Sequence, residues 1–67
     1  MSLKKISRAI EALKNKDINQ ATAIFDSVRN KLSKPHHLHA CALAYLQSGR
    51  SLDAQKVLSK LLAKVQP

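Results

Sequence analysis

Apolar residues recur along this chain at steps of three and four, in four blocks separated by short polar breaks, which is the period of amphipathic helices. Leu3, Ile6, Ala9, Ile10 and Leu13 share one face of a first helix expected from Leu3 to about Lys14, with Lys4, Lys5, Arg8 and Glu11 on the rest. Ile18, Ala21, Ile24, Phe25, Val28 and Leu32 define a second, running to about Leu32, with Asp17 in the capping role and Gln20 three residues on. Pro35 is tolerated in a first helical turn but not deeper, so it ends the second helix and admits a third over Pro35 to Ser48. Leu38, Ala42, Tyr45 and Leu46 carry that third helix. Gly49 is placed to take the left-handed conformation that closes it, and Ser51 to cap the next. In the fourth, Ala54, Val57, Leu58, Leu61, Leu62 and Val65 recur until the helix frays before Pro67, while Lys56, Lys60 and Lys64 form a stripe at spacing four. The expected fold is all-α: two antiparallel helical hairpins, four helices, in one domain over residues 1–67, with no room for a sheet.

The hairpins are related. A shift of 33 residues lays Ala9 on Ala42, Leu13 on Leu46, Ala21 on Ala54, Ile24 on Val57, Phe25 on Leu58 and Val28 on Leu61. Small residues at matched places, Ala9 with Ala21 and Ala42 with Ala54, would let the two helices of each hairpin approach closely.

Ala42, Tyr45, Gly49, Ala54 and Leu58 in the segment 35–67 stand at the spacing of the tetratricopeptide repeat, a helix-turn-helix of about 34 residues, and Leu38 stands where that family commonly has Trp. The segment 2–34 resembles the family less closely: Ala9, Ala21 and Phe25 match, but Ala12 replaces the Tyr and Lys16 the Gly, and Lys5 and Arg8 occupy usually apolar places. Polar residues there suit a terminal repeat, which has no preceding helix to cover it. The resemblance implies a concave binding face on the first helix of each repeat, formed by Leu3, Ile6, Ile10 and Leu13 and by His36, His39, Leu43, Leu46 and Gln47. Ile6 and Ile10 stand where family members that grip a C-terminal carboxylate need polar residues, so a carboxylate clamp is not implied. An aliphatic groove suits an amphipathic helix laid in by its apolar side, and the same residues would equally serve as packed core or as the seam of a homodimer.

Composition narrows the function classes. The chain has 67 residues, 45% of them hydrophobic with one Phe, one Tyr and no Trp, which describes an aliphatic helical core. A chain this short buries only about 60% of its unfolded surface, so a second copy or partner would add stability. Leu58, Leu62 and Val65 form the edge expected to meet one, and a homo-oligomer is expected. One Cys gives no internal disulfide, and no apolar run approaches the roughly 20 residues of a membrane span, so a cytoplasmic protein is expected. Met1-Ser2-Leu3 would equally read as an expression leader.

Candidate chemistry is sparse. His37 and Cys41, four apart beside His36 and His39, would put two metal ligands on one helix face, which does not make a structural zinc site. A Cys and His nucleophilic pair on a stiff helix lacks an orienting group and an oxyanion hole. The four acids have structural roles: Asp17 at a cap, Asp53 in a first turn, and Glu11 and Asp26 placed to pair with Lys14 and Arg29. One Gly excludes a glycine-rich phosphate loop. No enzyme and no cofactor are expected. Twelve Lys and Arg give a net charge of +8, which favours an acidic partner. The expected function is a non-enzymatic protein–protein interaction module, a small adaptor or chaperone offering an aliphatic groove to a partner helix or acidic surface or to a second copy. The alternative is a small basic nucleic-acid-binding protein in which Lys56, Lys60 and Lys64, with Arg50 and the Lys4, Lys5, Arg8 group, track phosphates.

Overall fold

A computed structural model describes the backbone of residues 2–65 and the side chains of 4–64. Met1, Pro67 and the side chains of Leu3 and Val65, which the sequence places at the helix ends, the groove and the self-association edge, lie outside the described residues. Four α-helices make up the fold: α1 (Ser2–Lys14), α2 (Ile18–Val28), α3 (Pro35–Gln47) and α4 (Ser51–Val65). No strand occurs among the described residues. Helices α1 and α2 pack as one hairpin and α3 and α4 as another, and α3 joins them by lying against both α1 and α2. The core fills the spaces between these helices. Phe25, Tyr45 and Cys41 are fully enclosed and Leu32 and Leu38 nearly so, and the alanines Ala9, Ala21, Ala42 and Ala54 are each at most 1% exposed.

The two hairpin turns are built alike, 33 residues apart. In the first, the Asp17 N–H donates to the Ala12 carbonyl at 2.8 Å and the Lys16 N–H to that of Leu13 at 3.0 Å. In the second, the Arg50 N–H donates to Tyr45 at 2.8 Å and the Gly49 N–H to Leu46 at 3.1 Å. Each turn thus returns its leftover donors to the last carbonyls of the helix it ends, which requires one left-handed residue. That residue is Gly49 at φ +83° in the second turn and Lys16 at φ +63° in the first. A side chain in this conformation costs about 1–2 kcal/mol. We expect Lys16→Gly to raise stability by about 0.5–1 kcal/mol, once the greater freedom of glycine in the unfolded chain is subtracted. That is a rise in thermal midpoint of roughly 2–8 °C. Gly49→Ala should lower the midpoint by a similar amount through the backbone alone, because a Cβ there meets nothing within 4 Å. Thermal melts followed by circular dichroism at 222 nm read both.

Three local expectations are corrected. The α-helical part of the second helix stops at Val28; Arg29–Lys31 form a 3₁₀ turn, and Leu32 is extended at ψ 130° while still buried. Pro35 disfavours a helical residue before it, and Lys34 is accordingly extended at ψ 136°. Asp17 stands at the N-cap position but makes no side-chain capping bond. Its backbone, at φ −87° and ψ 73°, is held by the closing turn and lies outside the extended region from which a cap side chain reaches its helix. Ser51 is the first residue inside α4, and the carbonyl of Arg50 accepts the Ala54 N–H, so Arg50 rather than Ser51 holds the capping position.

Candidate functional site

His36, His39, Leu43, Leu46 and Gln47 fall within an arc about 100° wide on α3, and all five are exposed. The opposite side of the helix, through Leu38, Cys41, Ala42, Ala44 and Tyr45, is the part that enters the core. Leu43 and Leu46 are 37% and 50% exposed, which makes this face apolar at its C-terminal half and imidazole-bearing at its start. On α1, which packs against α3, Ile10 and Leu13 are half-buried against the core. Ile6, at 5% exposure, follows the packed-core alternative rather than the groove. On α4, Leu58 is half-buried and Leu62 is 56% exposed. Lys56, Lys60 and Lys64 are exposed, and the first two line a recess of about 180 Å³ together with Arg29, Asn30, Leu38 and Val57.

Behind the α3 face lies a polar cluster that ties the two hairpins together. Arg50 grips Asp26 through both terminal nitrogens at 2.9 Å and donates from Nε to Asp53 at 2.9 Å. Arg29 donates to the other oxygen of Asp53 at 2.9 Å, and the Tyr45 hydroxyl donates to Asp26 Oδ1 at 2.7 Å. The Arg50 and Arg29 guanidinium carbons lie 4.5 Å and 5.4 Å from the centre of the Tyr45 ring. Comparison with known proteins adds no relative. No family model, no curated protein and no solved structure matches the chain.

The cluster overturns two expectations. Asp26 bonds Arg50 and Tyr45 instead of pairing with Arg29 one helical turn away, and Arg50 is committed to two carboxylates rather than standing in the phosphate-tracking surface. Among the described residues no ion pair joins Glu11 to Lys14. A signal for this arrangement is present in the chain: Asp26 and Arg29 are three apart, Arg50 and Asp53 are three apart with the order reversed, and both cross-pairs span 24 residues. Complementary pairs of that kind match when two helix ends face each other.

The electrostatics follow from these bonds. The Arg50 guanidinium holds the Asp26 carboxyl below its ordinary 3.8, although burial pulls the other way, and Arg29 followed by Arg50 does the same for Asp53. A carboxylate depressed in the folded state stabilises the fold above its unfolded value and loses that contribution as pH falls through the folded one. Burial, then the Asp26 bond, pushes the Tyr45 phenol well above its ordinary value, so it stays neutral and donates. Burial also pushes the Cys41 thiol up to about 11, leaving it protonated near neutrality, the form that neither attacks nor binds metal. His37 is 8% exposed, and burial, then His36 and Lys34, holds it below its ordinary 6.5 and therefore neutral. Among the described residues no three His, Cys, Asp or Glu side chains converge as a metal site would require.

Proposed function

We propose that the chain is a non-enzymatic interaction module of two TPR-like hairpins, a small adaptor or chaperone. It receives an amphipathic helix with an acidic flank along α3 and the adjoining part of α1. The observation that carries this reading is the α3 face: a regular helix presents two leucines, 37% and 50% exposed, in the same arc as two histidines and a glutamine. A helix laid along that arc would cover the leucine surface still exposed, worth about 0.5–1.5 kcal/mol for each residue at these exposures. Net charge +8, with Lys4, Lys5 and Arg8 exposed on α1, favours acidic residues on the edges of the partner helix. The matched closing turns, 33 residues apart, favour reading the chain as two copies of one unit. Leu62, exposed on the outer helix, is where a second copy of the chain would extend the stack.

The test uses an amphipathic helical peptide of leucine and glutamate, with Leu43→Asp combined with Leu46→Asp. The double variant should keep its helical signal and its stability to within about 1 kcal/mol, since both positions are surface-exposed. It should bind the peptide at least roughly tenfold more weakly than the parent chain. Equal binding by both proteins would remove α3 from the reading, and a parent chain that ignores the peptide and sediments as a monomer at every dilution would overturn it.

A further inference from the structure

The recess between the 3₁₀ turn, α3 and α4 is distinguished by its charge. Arg29, Asn30, Lys56 and Lys60 surround a floor made by Leu38 and Val57, which are 1% and 4% exposed. No carboxylate stands among these lining residues. A second recess, of about 430 Å³ at the turn between α1 and α2, sets Arg8 against Glu11 and Asp17, so its charges offset one another. The first recess instead has three cations among its lining residues, of which Arg29 is paired with Asp53 from outside the lining. Lys56 and Lys60 stand one helical turn apart, where like charges repel and an anion between them relieves the repulsion. Arg29 is oriented in advance: one of its nitrogens is bonded to Asp53 at 2.9 Å and its guanidinium lies 5.4 Å from the Tyr45 ring, while the same planar group carries further N–H donors. The Asn30 amide adds another donor, and the apolar floor strengthens each of these contacts by excluding water from one side.

We propose that this recess binds one phosphate dianion, free or as the terminal group of a phosphomonoester, through Arg29, Asn30, Lys56 and Lys60. A planar guanidinium with two ammonium groups and an amide around one cup matches a doubly charged tetrahedral oxyanion. A single phosphate suits the recess better than a nucleic-acid backbone, because Lys64, one turn further along α4, is not among the lining residues, which leaves Arg29, Lys56 and Lys60 around one recess. The site is separate from the interaction face, since α3 contributes Leu38 from its buried side and neither Leu43 nor Leu46.

The test is a titration of the ¹⁵N-labelled full chain with inorganic phosphate and, separately, with phosphoethanolamine, at constant ionic strength. Saturable shifts confined to the amides of Asn30, Lys56, Val57 and Lys60 are expected, and which of the two probes binds more tightly identifies the source of the phosphate. Lys56→Ala with Lys60→Ala, both at exposed helical positions, should leave the rest of the spectrum in place and weaken binding roughly tenfold. Shifts reproduced by sodium chloride, or unchanged affinity in the double variant, would overturn the proposal. So would random single-stranded RNA moving the same amides at about a hundredfold lower concentration with a steep salt dependence, since the recess would then be one step of a nucleic-acid track.

Discussion

Tyr45→Ala is expected to cost about 3–5 kcal/mol, the range for removing a large aromatic side chain from a packed core. Tyr45 is fully buried, lies under two arginines, and bonds α2 through Asp26, so it belongs to both hairpins at once. A chain of this length has about 3–10 kcal/mol in total, so the variant should lose most or all of its cooperative urea transition. Tyr45→Phe separates packing from hydrogen bonding. It removes the hydroxyl alone, Asp26 keeps both bonds to Arg50, and the expected cost is about 1–2 kcal/mol. Equal losses in the two variants would show that the polar network, not the ring, holds the hairpins together. The acid side of the same experiment tests the network directly. Asp26 is depressed below 3.8 by Arg50, so its stabilising contribution is complete above that pH and disappears as pH falls below it. Tyr45→Phe should keep most of that acid loss, whereas Asp26→Asn should flatten it.

How far these features were legible depends on the distance over which each is decided. Helical phase is local, and the steps of three and four place α1, α3 and α4 within about a residue of their observed ends. The end of α2 was not legible in the same way, because Val28 and Leu32 are four apart whether the turn between them is α or 3₁₀. Capping failed at Asp17 for a related reason: the residue type suits a cap, but the closing turn had already set its backbone. The α3 face was legible as an arc on one helix, since positions 36, 39, 43, 46 and 47 share a direction whatever surrounds them. For Ile6 the sequence leaves groove and packed core equally open, and the choice depends on how tightly the other helices come in beside α1, which no local pattern encodes. The cluster of Asp26, Arg29, Arg50 and Asp53 is the clearest case. Arg50 keeps its near neighbour Asp53 and adds Asp26 from the other hairpin, while Arg29 bonds Asp53 instead of its near neighbour Asp26, and only the packing of the two hairpins decides that exchange.

Charge and packing distinguish the sides of the molecule. With Arg29 and Arg50 drawn into bonds with Asp26 and Asp53, the cations outside the cluster are chiefly lysines on exposed helical faces. Arginine is the better residue for fixed, bidentate bonding and lysine for a solvated charge, and the chain uses each accordingly. The ionic cluster holds the hairpins in register from one side of α3, and the other side of that helix, through Leu43 and Leu46, stays exposed.

Ala54→Leu is expected to be the other severe change, for the opposite physical reason. Ala54 is 0% exposed on α4 and Ala42 is 1% exposed on α3, and the two helices pack with these small residues in the hairpin. Three added carbons have no space there, and overpacking of this kind costs typically about 1–3 kcal/mol. The loss should concentrate in α4, which packs chiefly on α3 and has the least to hold it once that contact is spread. Hydrogen exchange should therefore show α4 amides losing protection before those of α1 and α2. Ala21→Leu, at the matched position in the first hairpin and also 0% exposed, should cost a comparable amount but open α1 and α2 instead. Ala63→Leu makes the same chemical change on the exposed side of α4 and should stay within about 0.5 kcal/mol of the parent. If Ala54→Leu proved as mild as Ala63→Leu, the hairpin would have room to spread and the buried alanines would not be what sets the distance between its helices.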